Sequence, residues 1–164
     1  MLLNITQEIK NEHLIDKFLG KIITESNYRS IVHNFCQESF INKLKEKNID
    51  YSINENNDIV IYNKSFRVVG CSRTKHLYFV PTEKSFDKNI KIDFFVGMQL
   101  QCGIDTNCIL NYDQFNRINQ CEIRGYIPYE VIDKDEPKRN KHILGSSKHI
   151  YLESLYPIQD ILKI

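Results

Sequence analysis

The sequence predicts an α+β fold, an α/β sandwich-like domain with two N-terminal helices, a central mixed β-sheet of about five to six strands and a short C-terminal helix. Apolar residues recur at helical spacing over residues 5–47, whereas residues 49–132 carry short apolar runs separated by turn residues. A chain of 164 residues, 41% of them hydrophobic, suits one domain with its own core. We therefore expect a single domain over residues 1–164, with helices at 5–47, a sheet core at 49–132, a basic loop at 133–149 and a C-terminal helix at 151–164.

Two helices are expected before the sheet. The first covers about residues 5–24, where isoleucine, leucine and phenylalanine share one helical face. Ser26-Asn27 suits the cap of the second, over about residues 28–47. Its apolar stripe is wide enough to require burial, and Glu38 lies beside it. The stripe consists of Ile31, Val32, Phe35, Cys36, Phe40, Ile41 and Leu44.

Short strands are expected after the helices. Asp58–Tyr62 and Ser65–Cys71 form a hairpin about a tight Asn63-Lys64 turn. In Ile90–Cys102, Phe95 breaks strict alternation, which predicts a strand covered on both faces. Other strands are expected at Asp50–Ile53, Leu77–Val80 and Cys121–Ile127, with a helical turn at Tyr129–Ile132 and a terminal helix at Tyr151–Ile164 that Pro157 interrupts.

Charge and cysteine content narrow the class of protein. The net charge of +1 gives no global attraction to nucleic acid, so any such surface must be a local patch. Five irregularly spaced cysteines indicate reduced thiols and a cytoplasmic protein. No apolar run approaches the roughly 20 residues that cross a bilayer, so no membrane partner is expected. The absence of alanine indicates an AT-rich genome, such as that of a low-GC bacterium, a phage or a plasmid.

Three local features carry a resemblance to a known family. The helix with Glu38 runs into Lys47-Asn48-Ile49-Asp50-Tyr51, and Asn57-Asp58-Ile59-Val60-Ile61 opens a strand on an aspartate. Lys91-Ile92-Asp93-Phe94-Phe95-Val96 and Glu122-Ile123-Arg124-Gly125-Tyr126-Ile127-Pro128 are similar to later strands of small members. Through these features residues 28–132 resemble the restriction-endonuclease-like, PD-(D/E)XK nuclease superfamily, with a degenerate catalytic motif.

The resemblance implies a magnesium-dependent nuclease that hydrolyses phosphodiesters of DNA or RNA, of phage or defence-system origin. Asp58 and Glu38 would be the Mg²⁺ ligands, because Mg²⁺ prefers hard carboxylate oxygens. The metal would polarise the phosphate and generate hydroxide, and a lysine would offset the developing charge. Arg67 and Val69 stand where the family has an acid and this lysine, so Lys75 is the candidate replacement, with Lys64 and Lys84 as alternatives.

Other interpretations of these residues remain open. Asp58 also fits a turn after Asn56-Asn57, and Glu38 fits a solvated helix edge. Arg67 is expected to snorkel or to pair with a neighbouring acid, and a salt bridge to Asp58 would argue against catalysis. The alternative function is then a catalytically inactive nuclease-fold module that binds nucleic acid or a protein partner. A third interpretation is an unrelated α+β interaction protein.

Two basic loops are candidates for contact with a phosphate backbone, DNA more than RNA. Arg73 and Lys75 follow the hairpin, and Lys138, Arg139 and Lys141 lie in the late loop. Such side chains position a duplex without reading its sequence, although acidic neighbours in the late loop partly cancel its charge. The apolar stripes of the two leading helices also suit a homodimer face. Cys102, Cys108 and Cys121 lack the close spacing of a zinc site and are interpreted as buried thiols.

Overall fold

The computed structural model of this chain describes residues 1–72, 76–79, 92–134 and 148–163. It confirms the α+β class, since helices pack against a mixed sheet of six strands. In the described part of the chain no helix has the length and apolarity that crossing a bilayer would need.

The N-terminal helices differ in regularity. The first is built from α1 (Gln7–Lys10), a π-helical turn (Asn11–Ile15) and α2 (Asp16–Phe18), and it ends earlier than expected. The second, α3 (Glu25–Glu46), is regular over 22 residues. Its cap is Thr24 and not Ser26-Asn27, because the Thr24 hydroxyl accepts from the Asn27 amide at 3.2 Å while Asn27 Oδ1 accepts from the Thr24 amide at 3.3 Å.

The strands are β1 (Leu2–Asn4), β2 (Ser52–Ile53), β3 (Ile59–Ile61), β4 (Lys64–Ser72), β5 (His76–Phe79), β6 (Phe94–Leu100), β7 (Gln120–Pro128) and β8 (Lys148–Tyr151). Six of them form one sheet in the order β1-β7-β6-β4-β3-β2. The pair β4–β6 is parallel and the other pairs are antiparallel. Two further strands, β5 and β8, pair antiparallel in a separate small sheet. The later helices are α4 (Tyr112–Arg117) and α5 (Tyr129–Lys134).

The core lies on both faces of the sheet. The larger cluster joins α3 to the sheet, and a smaller cluster includes Phe95, Ile127 and Leu152. Phe95 and its neighbour Val96 are both buried, in different clusters, so the expected two-sided cover of β6 is confirmed. At Gly70 a Cβ atom would lie 2.9 Å from Cys36 Sγ, which shows how closely α3 approaches β4. This approach places polar residues of α3 beside the β3–β4 hairpin.

Two further local expectations were wrong. The hairpin turns at Tyr62 and Asn63, which have φ angles of 50° and 60°, and β4 already begins at Lys64. The C-terminal segment forms β8 and two short 3-10 turns, Leu152–Ser154 and Ile158–Asp160, in place of one helix. Its backbone at Tyr156 pairs instead with Tyr126 of β7, through two hydrogen bonds of 2.9 Å.

Candidate functional site

Asp58 lies immediately before β3, at the end of the turn that leads into the sheet. The Asp58 amide donates to Asn54 Oδ1 at 2.9 Å, and Asn57 has a φ angle of 63°, which asparagine tolerates. Because Ile59 pairs with Phe66, the register places Asp58 opposite Arg67 of β4. The Asp58 side chain is 1% exposed. A buried carboxylate of this kind requires a hydrogen-bonded or charged partner.

Arg67 is that partner. Its Nε lies 2.5 Å from Asp58 Oδ1, and its second guanidinium nitrogen donates to Asp58 Oδ2 at 2.9 Å. The planar guanidinium matches the carboxylate with two parallel bonds, the strongest common geometry for such a pair. The expected pairing of Arg67 with a neighbouring acid is therefore confirmed, and both carboxylate oxygens of Asp58 are engaged.

Helix α3 adds two further polar residues to this pair. Gln37 is buried, and its Nε2 donates to the Asn57 carbonyl at 3.3 Å. Burial lowers the pKa of His33; its hydrogen bond to Gln37 acts in the opposite direction, and the positive charge of Arg67 lowers it further. We call His33, Gln37, Asn57, Asp58 and Arg67 the Asp58 cluster.

Sequence reasoning missed His33 and Gln37. They are four residues apart on α3, so they share a helix face. The sequence carried one signal, which is that polar residues interrupt the apolar stripe: Gln37 falls between Cys36 and Phe40. In the structure Gln37 is only 6% exposed.

Glu38 does not belong to the Asp58 cluster. Successive residues of an α-helix project about 100° apart, and Gln37 is the residue that reaches Asn57. Glu38 is half-buried, and in the described parts of the chain no hydrogen bond or ion pair ties it to the Asp58 cluster. The two carboxylates proposed as metal ligands therefore have different surroundings.

The Asp58 cluster does not fit Mg²⁺. The ion needs accessible carboxylate oxygens with near-octahedral geometry, whereas a guanidinium already holds both oxygens of Asp58. Over residues 1–72, 76–79, 92–134 and 148–163, no three Asp, Glu, His or Cys side chains are grouped as a metal site would require. Asp58 is therefore not available as a metal ligand in this arrangement.

The basic side chains that were expected to contact nucleic acid lie outside the described residues. These are Arg73, Lys75, Lys138, Arg139 and Lys141, and the alternative lysine Lys84 is outside them as well. The other alternative, Lys64, is described, and its Nζ lies 3.1 Å from Asp93 Oδ1. Lys64 is therefore engaged with a different carboxylate from the one that a nuclease site would use.

The cysteines follow the expectation only in part. Cys121 is buried and hydrogen-bonded to the buried thiol of Cys36, which lowers the pKa of Cys121. Cys102 is half-buried and Cys108 is exposed, so the interpretation of these two as buried thiols was wrong. Both lie between β6 and α4, so Cys102 falls outside the strand that was expected to extend to it.

Comparisons with models of known protein families, with curated proteins and with solved structures find no match to this chain.

Proposed function

We propose that this protein is a catalytically inactive nuclease-fold module that binds nucleic acid or a protein partner. The observation that carries the proposal is the bidentate Arg67–Asp58 pair, which occupies the carboxylate on which metal-dependent hydrolysis would depend. The module works in the cytoplasm, where its five cysteines, all of them free thiols, would stay reduced.

The order of the elements supports a nuclease-like core. Helix α3 is followed by the meander β2-β3-β4, and Asp58 stands at the entrance to β3. This is the order on which the resemblance to PD-(D/E)XK nucleases rests. Arg67 pairs with Asp58 from β4, the strand in which that family carries its second acid and its lysine.

The energetics of the pair support a structural role for Asp58. Removing a charge from water is costly, so a buried carboxylate is stable only while its partner remains in place. A metal ion would have to displace the guanidinium and leave Arg67, whose side chain is 18% exposed, without its partner. The folded state therefore favours the protein cation over a divalent ion at Asp58.

The competing function is magnesium-dependent hydrolysis of DNA or RNA, with Asp58, Glu38 and Lys75 as catalytic residues. The position of Asp58 at the entrance to β3 is the observation that favours it. In this case the Arg67–Asp58 pair would have to open when substrate and metal bind.

Cleavage assays separate the two functions. Plasmid and single-stranded substrates are incubated with Mg²⁺ or Mn²⁺ and with wild type, Asp58→Asn or the control Asp50→Asn, which changes an exposed carboxylate. We expect no cleavage above background by any of the three proteins. Circular dichroism verifies that each is folded, and fluorescence anisotropy at several salt concentrations measures binding to labelled duplex.

Cleavage by wild type and Asp50→Asn that disappears in Asp58→Asn would overturn the proposal in favour of the nuclease. Salt-sensitive binding without cleavage would identify nucleic acid as the partner of the module. If the protein shows neither binding nor cleavage, the remaining class of partner is another protein.

A further inference from the structure

A small two-stranded ribbon lies outside the main sheet and is built from residues 20–23 and 107–110. Ile22 and Ile109 face each other across it in an antiparallel bridge. We call it the outer ribbon. Its backbone hydrogen bonds run from Gly20 to Leu110 (3.3 Å), from Leu110 to Lys21 (3.0 Å), from Ile23 to Cys108 (3.2 Å) and from Asn107 to Ile23 (2.8 Å).

The outward face of the outer ribbon is apolar. Successive residues of a strand point to opposite faces, and Ile23 and Leu110 are buried on the inner face. Ile22 and Ile109 point the other way and are 57% and 59% exposed. Outward positions of this kind are normally polar when only one face is buried. Residues directly opposite in an antiparallel pair have Cβ atoms about 5 Å apart, so the two exposed isoleucines form one continuous apolar surface.

The edge of the outer ribbon beside Ile109 carries backbone groups without a partner. The hydrogen bonds that flank the bridge are made by the neighbouring residues, so the N–H and C=O groups of Ile109 itself point outward. Within the described parts of the chain, no hydrogen bond engages the Ile109 amide, the Ile109 carbonyl or the Asn111 amide. Asn111 is extended, with φ −123° and ψ 169°, so this edge continues from Ile109 to Asn111 before α4 begins.

The size of this surface determines the kind of partner that fits it. Beside Ile22 and Ile109, Tyr112 at the start of α4 is 62% exposed. Three side chains fall short of the roughly 800 Å² that each partner contributes to a standard interface between folded proteins, a second copy of this chain included. Strand addition works on a smaller surface, because main-chain hydrogen bonds give the affinity and alternate side chains give the specificity. An unpaired edge with an apolar face is a template for a further strand.

We propose that the edge from Ile109 to Asn111 binds an extended segment of a protein partner by strand addition. The added strand would accept from the Ile109 and Asn111 amides and donate to the Ile109 carbonyl. An apolar, β-branched side chain of the segment would pack beside Ile109, in line with Ile22. Strand addition here rests on the proposed function and deepens it, because it names the kind of protein segment that the module recognises.

Two-dimensional NMR of the full chain, titrated with the blocked peptide acetyl-Gly-Thr-Val-Thr-Val-Thr-Gly-amide, tests the proposal. We expect the amide signals of residues 107–111 to shift. Hydrogen exchange at Ile109 and Asn111 should become slower, because their amides become donors to the peptide. The Leu110 amide already donates to Lys21, so its exchange should change far less.

A matched peptide, N-methylated at its five central residues, separates strand addition from apolar contact. It keeps the same side chains but cannot donate to the Ile109 carbonyl or approach the edge closely. We expect it to bind roughly tenfold more weakly than the unmodified peptide.

Ile109→Thr keeps a β-branched residue at the edge and removes much of its apolar surface, so the unmodified peptide should bind roughly fivefold more weakly. Ile53→Thr, at an exposed isoleucine of β2, is the matched control and should leave the affinity unchanged. Both variants change exposed side chains, and the spectra of the free proteins show directly whether the fold is retained.

Equal affinity for the two peptides, shifts confined to another edge such as β2, or no shift at high millimolar peptide would overturn the proposal. An equal loss of affinity in Ile109→Thr and Ile53→Thr would also overturn it. Concentration-dependent shifts of residues 107–111 without peptide, together with a dimer mass in sedimentation equilibrium, would overturn it in favour of a second copy as the occupant. None of these outcomes alters the results of the cleavage and duplex-binding assays, so failure here is distinct from failure of the proposed function.

Discussion

At the scale of single residues, Arg67 decides how Asp58 can act. A buried aspartate at the entrance to a strand is chemically suited to hold a metal, yet here its two oxygens accept from one guanidinium at 2.5 and 2.9 Å. The positive charge that a divalent ion would bring is supplied by the chain itself. Asp58 and Arg67 therefore form a structural pair, and its loss should appear first in stability.

We predict that Arg67→Met lowers the free energy of unfolding by about 3–5 kcal/mol, because it leaves the Asp58 carboxylate buried without a counter-charge. The double variant Arg67→Met, Asp58→Asn should recover part of this loss, since no charge is then left unpaired. Urea denaturation of the wild type, both single variants and the double variant measures the coupling between the two residues.

Arg124→Met is the matched control for this cycle. Its guanidinium lies 2.9 Å from Glu122, but the two side chains are 35% and 30% exposed, so the expected change is below about 1 kcal/mol. Equal losses in Arg67→Met and Arg124→Met would contradict a structural role for the Asp58 pair.

At the scale of elements, α3 and the β3–β4 hairpin are joined through polar contacts as well as through the core. Gln37 reaches the Asn57 carbonyl, and His33 faces the charges of Arg67 and Asp58. Because burial is the largest influence on its pKa, His33 is held neutral in the folded protein. The stability of the junction between α3 and the β3–β4 hairpin therefore depends on pH.

We predict that stability falls as pH decreases below about 6.5, the ordinary value for histidine. In this range the unfolded chain takes up a proton at His33. The folded chain does so only at lower pH, because the pKa of His33 is lowered in the folded protein. The unfolded state thus binds more protons, and stability rises with pH by at most about 1.4 kcal/mol per pH unit from this group. Urea denaturation between pH 5 and 8 (roughly the range in which histidine titrates) measures the slope.

His33→Gln isolates the contribution of this histidine, since glutamine keeps a hydrogen-bonding side chain without the titration. The variant should show a shallower slope below pH of about 6.5 than the wild type. Parallel curves for the two proteins would show that other groups cause the pH dependence.

At the scale of the whole molecule, the spacing of apolar residues predicted the α+β class and most of the strands. A strand that buries one or both faces needs apolar residues at regular positions. The spacing did not predict the C-terminal β8 and 3-10 turns. There, Leu152, Ile158 and Leu162 are all buried, and similar spacing would also suit a helix. The outcome depended on Tyr126 of β7, a distant residue that pairs with Tyr156 and cannot be inferred from local sequence.

The candidate site was predictable at Asp58, and an ion pair of Arg67 with a neighbouring acid was one expectation, but the contacts with α3 were not predictable. A local pattern can place an aspartate before a strand, and it can mark Arg67 as an unusual residue in the next strand. The register that sets them opposite each other depends on where the hairpin turns, which was expected at Asn63-Lys64 and lies at Tyr62-Asn63. The contacts that His33 and Gln37 of α3 make with the hairpin depend on tertiary packing, which the local sequence does not show.

Arg67 closes Asp58 to metal ions, and titration with Mn²⁺ measures directly whether it does. Paramagnetic broadening of amide NMR signals reports where the ion binds, and Asp58→Asn identifies any contribution from this carboxylate. We expect no selective broadening at residues 57–60 in the wild type at millimolar Mn²⁺. Selective broadening there that is lost in Asp58→Asn would contradict it.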